Sequence, residues 1–259
     1  MLYQHKTHAG NRSDIIKHIC LIETLKSRHY TTVWDAFAEQ ASYPAAMLDP
    51  QRIQRIQRLC RNHSLHSVDI LCNIIGKDAE NLSAADAINY PGSGRIVDEL
   101  LQMEKLILSE LNTDSVDMLV EYVHQRPDVS VLEMDCYRSA AMALQCSPEL
   151  VFIDPPYIAA DEWLRVEVLV TEILASRPDC QLLIWYPLRE GLDIWLEGLA
   201  GQNIRQLQAE FGGEKASLQG CGVIYVNFDA AQLASLPELV SGLEKLPALE
   251  LSRVSLRIL

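Results

Sequence analysis

The 259-residue sequence lacks a long hydrophobic run and an excess of positive charge. No apolar stretch approaches the roughly 18 to 20 residues that a membrane-spanning helix requires, so we expect no such helix. The polar start, MLYQHKTHAGNRSDIIKH, has no apolar core of a secretory signal, and we expect a cytoplasmic protein. With 22 Lys and Arg against 35 Asp and Glu, the net charge of −13 disfavours nucleic-acid binding over the whole surface, although local basic patches can still bind phosphates.

Several common metal and catalytic signatures are missing as well. The seven cysteines contain no CxxC pair, so we expect free thiols in a reducing compartment rather than a zinc ribbon or a dithiol redox site. His5, His8 and His18 have no standard metal spacing, and we expect no metal site. The absence of GxSxG and of a P-loop argues against the common hydrolases and NTPases.

Short apolar segments alternate with segments of helical periodicity, and this alternation predicts an α/β protein with a mostly parallel sheet. The predicted strands are 31–36, 105–109, 129–133, 149–153 and 181–186. The predicted helices are 13–28, 95–104, 113–124, 137–145, 161–175 and 189–200, the first with its N-cap at Ser13 or Asp14.

Two regions depart from this rhythm. Residues from about 44 to 89 read as helical and delay the second strand, which indicates a helical insertion beside the sheet. Segments 203–211 and 221–228 are joined by too few residues for a crossover helix, so they are predicted to pair antiparallel. Because no repeat, low-complexity tract or linker is visible, we expect residues 1–259 to form a single domain.

The segment Asp154-Pro155-Pro156-Tyr157 directly follows the apolar strand LVFI. Ligands of open α/β sheets bind beyond the carboxyl ends of the strands, so the segment lies where a site is expected. A carboxylate and a proline carbonyl can accept the two N–H groups of an exocyclic amine, while the tyrosine stacks on the ring. The alternative is structural, since Pro-Pro can end a strand and Asp can cap a helix. The position after a buried strand favours the functional interpretation, and the segment is the (D/N)PP(Y/F/W) signature of amino-directed methyltransferases, which use S-adenosylmethionine (SAM).

Further motifs narrow the resemblance. Three segments accompany Asp154–Tyr157 in order: the run from Tyr3 to His18 with its HAGN and Lys-His, Tyr90-Pro91-Gly92-Ser93, and Ile184-Trp185-Tyr186-Pro187. Together they resemble the RlmJ family, the 23S rRNA adenine-N(6) methyltransferases, over nearly the whole chain. The resemblance implies a Rossmann-like class I SAM-dependent methyltransferase fold and a 23S rRNA substrate that is protein-free or in early assembly.

The resemblance also implies roles for single residues. The cofactor would be bound by His18, Phe37, Ser93, Glu110, Asp135 and Cys136. Among these, His18 and Ser93 would lie at its methionine end, Glu110 would accept the ribose hydroxyls, and Asp135 and Cys136 would face its adenine. Asp154 would be the catalytic acceptor of the target amine. The substrate nucleotide would be held by Tyr3, Lys17, Pro155, Pro156 and Tyr157.

The first strand-to-helix loop departs from the family pattern DTHAGAGRY. Here it reads DAFAEQASY, so that Phe37 replaces the histidine and Glu39 and Ala41 replace two glycines. A non-glycine residue in the left-handed conformation costs on the order of 1 kcal/mol. An RNA-binding paralogue with impaired catalysis therefore stays open as an alternative to an active enzyme. A further alternative, a protein linked to the use of external DNA, rests on an older description of the family and not on these residues.

The run RIQRIQRLCR at 52–61 is the strongest candidate for RNA binding. Arg52, Arg55, Arg58 and Arg61 recur every three residues and cover a broad face of the predicted helix, where guanidinium groups can bind phosphates. The alternative is a solvated amphipathic face without a partner.

Overall fold

The computed structural model describes residues 9–76, 88–159, 161–188, 203–212 and 218–258. The strands in these ranges are β1 (Thr32–Asp35), β2 (Ser42–Pro44), β3 (Asn89–Pro91), β4 (Lys105–Glu110), β5 (Val129–Glu133), β6 (Leu150–Ile153), β7 (Gln181–Pro187), β8 (Ile204–Phe211), β9 (Gly220–Val226) and β10 (Leu251–Ile258). The helices are α1 (Arg12–Ser27), α2 (Pro50–Arg61), α3 (His66–Ile75), α4 (Ser93–Leu100), α5 (Thr113–Tyr122), α6 (Cys136–Leu144), α7 (Glu162–Ser176) and α8 (Leu236–Glu244).

Eight of these strands form one mixed sheet in the order β10-β8-β9-β7-β6-β1-β4-β5. The strands from β7 to β5 run parallel to one another, with β1 in the middle. Strand β9 is antiparallel to β7 and β8, and β10 is antiparallel to β8. The predicted α/β fold, its parallel sheet and its antiparallel C-terminal pair are confirmed.

Both faces of the sheet are covered, and this explains why its strands read as continuous apolar runs. In β6, Leu150 and Phe152 belong to a core beneath α1 and α4, whereas Val151 and Ile153 belong to a core beneath α6 and α7. All four side chains are fully buried. A strand of this kind shows no alternation, because water lies on neither side.

Helix α1 lies deep in the molecule, with 12 of its 16 residues buried. Its N-cap is Asn11, the residue before the helix, and not Ser13 or Asp14, because the Asn11 side chain accepts the amide of Asp14 at 2.9 Å. Asp14 instead lies in the first turn, where it accepts the amide of Gly10 at 2.8 Å. Gly10 has φ of +71°, which places it in the region that favours glycine.

The predicted insertion contains two helices, α2 and α3, as expected, framed by the short antiparallel pair of β2 and β3. In α2 only Ile56 and Leu59 are buried, so packing against the core holds this helix by one narrow stripe. Residues 77–87 of the insertion lie outside the described residues, as does the helix predicted at 189–200.

The expectation of free thiols throughout is wrong. Cys60 in α2 and Cys72 in α3 form a disulfide, with their Cα atoms 5.6 Å apart. No CxxC spacing marks this pair, because the two cysteines lie 12 positions apart and meet only where their helices pack together. The other five cysteines are free thiols.

No helix within the described residues is long and apolar enough to cross a bilayer.

Candidate active site

A cavity of about 680 Å³ opens at the carboxyl ends of the central parallel strands. Its lining comes from the segments that follow β1, β4, β5 and β6, which is where ligands bind in open α/β sheets. The volume falls within the range of roughly 300 to 1,000 Å³ that small-molecule sites occupy. Its charged lining residues are Glu39, Glu110, Asp114, Asp135, Asp154, Glu162 and Arg165.

Asp154, at the end of β6, is joined to α1 by a buried ion pair. The ammonium of Lys17 contacts Asp154 Oδ2 and lies 2.7 Å from Asp14 Oδ1. The Lys17 side chain is only 6% exposed. Burial lowers the pKa of Lys17, but the attraction of Asp14 and Asp154 outweighs it, and the pKa lies well above its ordinary value. Lys17 is therefore a cation at every physiological pH.

His18 and Ser93 are buried and are not among the residues that line the cavity. The Nδ1 atom of His18 is 3.0 Å from the Tyr90 hydroxyl, and its Nε2 is 3.6 Å from Asp14 Oδ1. Ser93 lies beside Asp35, a fully buried carboxyl at the end of β1. Burial raises the pKa of Asp35 to about 7, although hydrogen bonding from Ser93 and the Phe37 amide limits the rise.

In the altered loop after β1, the residue at position 39 has a backbone conformation that glycine, the family's residue, adopts without strain. Glu39 has φ of +52°, a left-handed conformation that favours glycine. Ala41 does not have a positive φ. The Glu39 carboxylate accepts the hydroxyl of Tyr43 at 2.8 Å, and both residues line the cavity. The loop thus borders the cavity without filling it, and it brings a second carboxylate toward Glu110.

Glu110, at the end of β4, is held by three backbone amides. They belong to Glu39 (2.8 Å), Leu111 (2.8 Å) and Asn112 (2.6 Å). Burial raises the pKa of Glu110 and the nearby charge of Glu39 adds to this, while the amides of Asn112, Leu111 and Glu39 oppose it; the net direction is upward. Its carboxylate is fixed in the cavity wall.

The end of β5 carries a second ionic cluster. Asp135 caps α6, where its Oδ1 accepts the Tyr137 amide at 3.1 Å, and its Oδ2 is 2.7 Å from Arg165 Nη2. The Tyr137 ring also meets Phe37 edge-on, with 5.7 Å between ring centroids. Cys136 is 4% exposed, and burial raises the pKa of its thiol.

The four-residue motif after β6 divides between the cavity and the core. Asp154 and Pro156 line the cavity, whereas Pro155 is buried. Tyr157 is 3% exposed, packs on Trp163 with ring centroids 4.4 Å apart, and donates to the Trp185 carbonyl at 2.9 Å. Its face is therefore covered by Trp163 in this conformation.

The structure thus brings most of the expected site residues together. Phe37, Glu110, Asp135, Cys136, Asp154 and Pro156 line one cavity, and Lys17 is bonded to Asp154. Tyr3 lies outside the described residues. Sequence reasoning missed Tyr43, Tyr137, Glu162 and Arg165, which also line the cavity. They stand on β2, α6 and α7, without any motif that would mark them.

Comparison with known proteins decides the family. The model of the family described as "Ribosomal RNA large subunit methyltransferase D, RlmJ" matches residues 52–237. The chain belongs to the RlmJ family. Two relatives named "Ribosomal RNA large subunit methyltransferase J" are similar to it: one from Escherichia coli is 24% identical over 87% of this chain and 86% of its own length, and one from Haemophilus influenzae is 25% identical over the same shares.

A crystal structure of a protein from Legionella pneumophila has the same fold, with a TM-score of 0.80 and 19% identity over 97% of this chain and 98% of that one. Together with the sheet order, this likeness confirms the predicted Rossmann-like class I fold. As a member of the RlmJ family the chain is an rRNA methyltransferase, and family membership supports SAM as its cofactor. Among the described residues, no group of three or more His, Cys, Asp or Glu is placed to hold a metal ion.

Proposed function

We propose that this protein transfers a methyl group to the exocyclic amine of an adenine in 23S rRNA. One observation carries the proposal: the Asp154 carboxylate lies in the wall of the strand-end cavity, next to Pro156 and paired with the buried ammonium of Lys17. The two relatives named above are large-subunit rRNA methyltransferases, which supports this substrate.

The cavity fits SAM by its size and by its donor set. Carboxylates stand at two strand ends, Glu110 for the ribose hydroxyls and Asp135 for the adenine amine, and Phe37 offers an aromatic surface in the same cavity, against Tyr137. When bound, SAM supplies an electrophilic methyl group. We assign its methionine end to the neighbourhood of His18 and Ser93, which are buried residues of α1 and α4.

Asp154 acts on the target amine as a hydrogen-bond acceptor. The Lys17 cation favours the ionised form of this carboxylate, because protonation would remove their attraction. An ionised carboxylate accepts an amine N–H, and a proline carbonyl of the same segment accepts the second, which turns the nitrogen lone pair toward the methyl donor. Holding the reacting atoms in this alignment provides much of the rate.

The target nucleotide must leave its stack before it can reach Asp154. Pro156 presents a flat surface in the cavity wall, while the Tyr157 ring packs on Trp163. Tyr3 and Lys17 complete the proposed contacts to the nucleotide. Stacking of Tyr157 directly on the base requires that its ring part from Trp163.

The surface of α2 is the proposed RNA-binding face. Arg58 is half exposed, and the pKa of Arg55 is lowered, first by burial and then by the charge of Arg12, although Glu250 and Asp49 oppose the shift. A group of cations crowded in this way binds phosphates readily, since an anion relieves their mutual repulsion. The partial neutralisation of Arg12 and Arg58 by Glu250, at 3.8 Å from each, limits the effect.

A catalytically impaired RNA-binding paralogue is the second candidate. The observation that favours it is Glu39, which holds a strained backbone conformation and places a negative charge beside Glu110. The negative charge weakens the binding of a ligand with its own carboxylate, by roughly tenfold for each 1.4 kcal/mol.

Calorimetric titration with SAM, followed by a methylation assay on protein-free 23S rRNA, separates the two candidates. Micromolar binding together with an N(6)-methyladenine product is the result that we expect. RNA binding without measurable SAM affinity would replace the enzyme by the paralogue. Methylation at another atom would overturn the adenine-amine assignment and leave the methyltransferase in place.

A further inference from the structure

Arg165 forms a cluster at the β5 end of the cavity to which neither the sequence motifs nor the comparisons assign a role. Its Nη2 lies 2.7 Å from Asp135 Oδ2, and its guanidinium carbon lies 3.9 Å from the centroid of the Tyr137 ring. Arg165 stands on α7, whereas Asp135 and Tyr137 stand at the start of α6. The contact therefore ties two helices together across the cavity wall.

The buried Glu162 contacts both Tyr137 and Arg165. Glu162 accepts the Tyr137 hydroxyl at 2.7 Å and lies 3.8 Å from Arg165 Nη1, and its side chain is 5% exposed. Tyr137 is thus held at its hydroxyl and on its ring face, and Arg165 is held by two carboxylates. A planar guanidinium with several donors can make such contacts at once, which a lysine cannot reproduce.

Asp135 is oriented by the same contacts. Its Oδ1 accepts the Tyr137 amide at 3.1 Å and its Oδ2 accepts from Arg165. An ionised carboxylate has about four acceptor positions, so these two bonds fix its plane without using all of its capacity. Asp135, Tyr137, Glu162 and Arg165 all line the cavity.

We propose that Arg165 is a positioning residue that sets the base selectivity of this end of the cavity: it holds Asp135 as an acceptor for the amine of a purine and holds Tyr137 against the purine ring. This inference rests on the proposed function, because the purine that Asp135 would bind is the adenine of the cofactor and not the target adenine of the rRNA. A carboxylate fixed in this way favours adenine over hypoxanthine, whose carbonyl at the same position offers a second acceptor and no donor.

Binding of hypoxanthine in place of adenine would leave acceptor atoms of Asp135 and of the ligand without a hydrogen-bond donor. A site built to hydrogen-bond one polar group discriminates strongly against a ligand that lacks it, because its own buried groups are left unpaired. Removing Arg165 would let the Asp135 carboxylate rotate, and the discrimination would fall along with the affinity.

The test compares S-adenosylhomocysteine with its deaminated analogue, S-inosylhomocysteine, by calorimetry on the full chain. We expect the wild-type protein to prefer the adenine ligand. In Arg165→Ala we expect adenine-ligand affinity to fall about tenfold and the ratio of the two dissociation constants to shrink at least threefold. Arg165→Lys should restore part of the affinity, because the charge remains. Arg138→Ala, which removes an exposed arginine of α6, is the matched control and should bind both ligands as the wild type does.

An unchanged ratio of the two dissociation constants in Arg165→Ala overturns the inference. This holds even where the affinity for both ligands falls together, because Arg165 would then have a structural role only. A wild-type protein that binds neither ligand overturns the proposed cofactor site itself, and the two failures are therefore distinguishable. Circular dichroism melting of each variant identifies any loss of folding, and a folded Arg165→Lys with unchanged selectivity and affinity also contradicts the proposal.

Discussion

The carboxylates at the two ends of the cavity have different partners. At the β6 end, Asp154 and Asp14 share the buried cation of Lys17. At the β4 end, Glu39 and Glu110 approach each other with backbone amides and a tyrosine hydroxyl as their hydrogen-bond partners. A carboxylate paired with a cation remains ionised, whereas two neighbouring carboxylates repel each other and any further anion. The comparison supports the proposed amine-binding role of the Asp154 end and indicates an electrostatic cost at the proposed cofactor end.

Replacing Asp154 tests the amine-binding end most directly. We expect Asp154→Ala to lower kcat by about 10²- to 10³-fold, in line with the loss of one hydrogen-bonding group that positions the reacting atom. Asp154→Asn keeps a carbonyl acceptor and should lose less. Methylation of protein-free rRNA measures kcat, and calorimetry with SAM is the control, since cofactor affinity should stay within a few fold. Near-normal turnover in the alanine variant would remove Asp154 from its role.

Replacing Lys17 by methionine tests the cation between the two aspartates. We expect kcat to fall by about 10-fold to 10²-fold, because Asp14 and Asp154 would then share a proton, and protonation of Asp154 would remove the acceptor. Activity should recover as pH rises, since the carboxylates lose the proton again. A pH–rate profile parallel to that of the wild type would contradict this account.

Asp35 provides a pH test at the end of β1, between the two ends of the cavity. Its pKa of about 7 in the folded protein exceeds the ordinary value, so folding takes up a proton between these two pH values. Stability is therefore highest below the ordinary pKa and falls as pH rises from there to about 7. We expect Asp35→Asn to stabilise the protein at pH 8 by on the order of a few kcal/mol and much less at pH 5. Urea unfolding at both pH values measures this, and equal gains at both would exclude Asp35 as the cause.

Restoring a glycine at Glu39 tests the cofactor end. Glu39→Gly removes one negative charge, so SAM should bind several fold more tightly, and it relieves about 1 kcal/mol of left-handed strain, which should raise the free energy of unfolding rather than the affinity. Gln125→Gly is the matched control, because Gln125 also has a positive φ of 64° but lies after α5, away from the cavity. Gln125→Gly should leave SAM affinity unchanged. Equal affinity in the wild type and in Glu39→Gly would show that the altered loop imposes no penalty.

The arginines of α2 extend the comparison to the outer surface. We expect Arg55→Ala with Arg58→Ala to weaken RNA binding a few fold at low salt and to reduce the slope of log K against log salt by about 1 to 2. Replacing Arg253 and Arg257 on the exposed edge strand β10 removes the same charge and serves as the control. Filter binding over a salt series measures both slopes. An unchanged slope in the α2 variant would favour a solvated face without a partner.

Sequence reasoning located the strands of the sheet well and missed elements at its margins. Strands β4 to β7 were predicted within about one residue. For β6 and β7 the reason is that a short apolar run between turn residues is typical of a strand covered on both faces, whereas β5 is an edge strand in which only Val129 is buried. The edge strand β10 was missed, since only Val254 of its eight residues is buried and its pattern carries no clear period. Helix α8 was missed as well.

The candidate site was predictable where a motif marks it. Asp154 follows a buried strand, and Glu110 and Asp135 follow two others, so strand order and sheet geometry suffice to bring their segments to one edge. Arg165 and Tyr137 carry no such mark, because their roles depend on how α6 and α7 pack against each other.

The sequence by itself determined the fold class, the edge of the sheet that carries the site, and the family signature. Local apolar patterns and the motif after β6 encode these properties without reference to distant residues. Only the tertiary structure decided that Lys17 meets Asp154 across 137 positions, that Cys60 meets Cys72, and that Glu39 turns toward Tyr43. Such contacts depend on how helices and loops are oriented on the sheet, which is settled by packing of the whole core rather than by any local pattern.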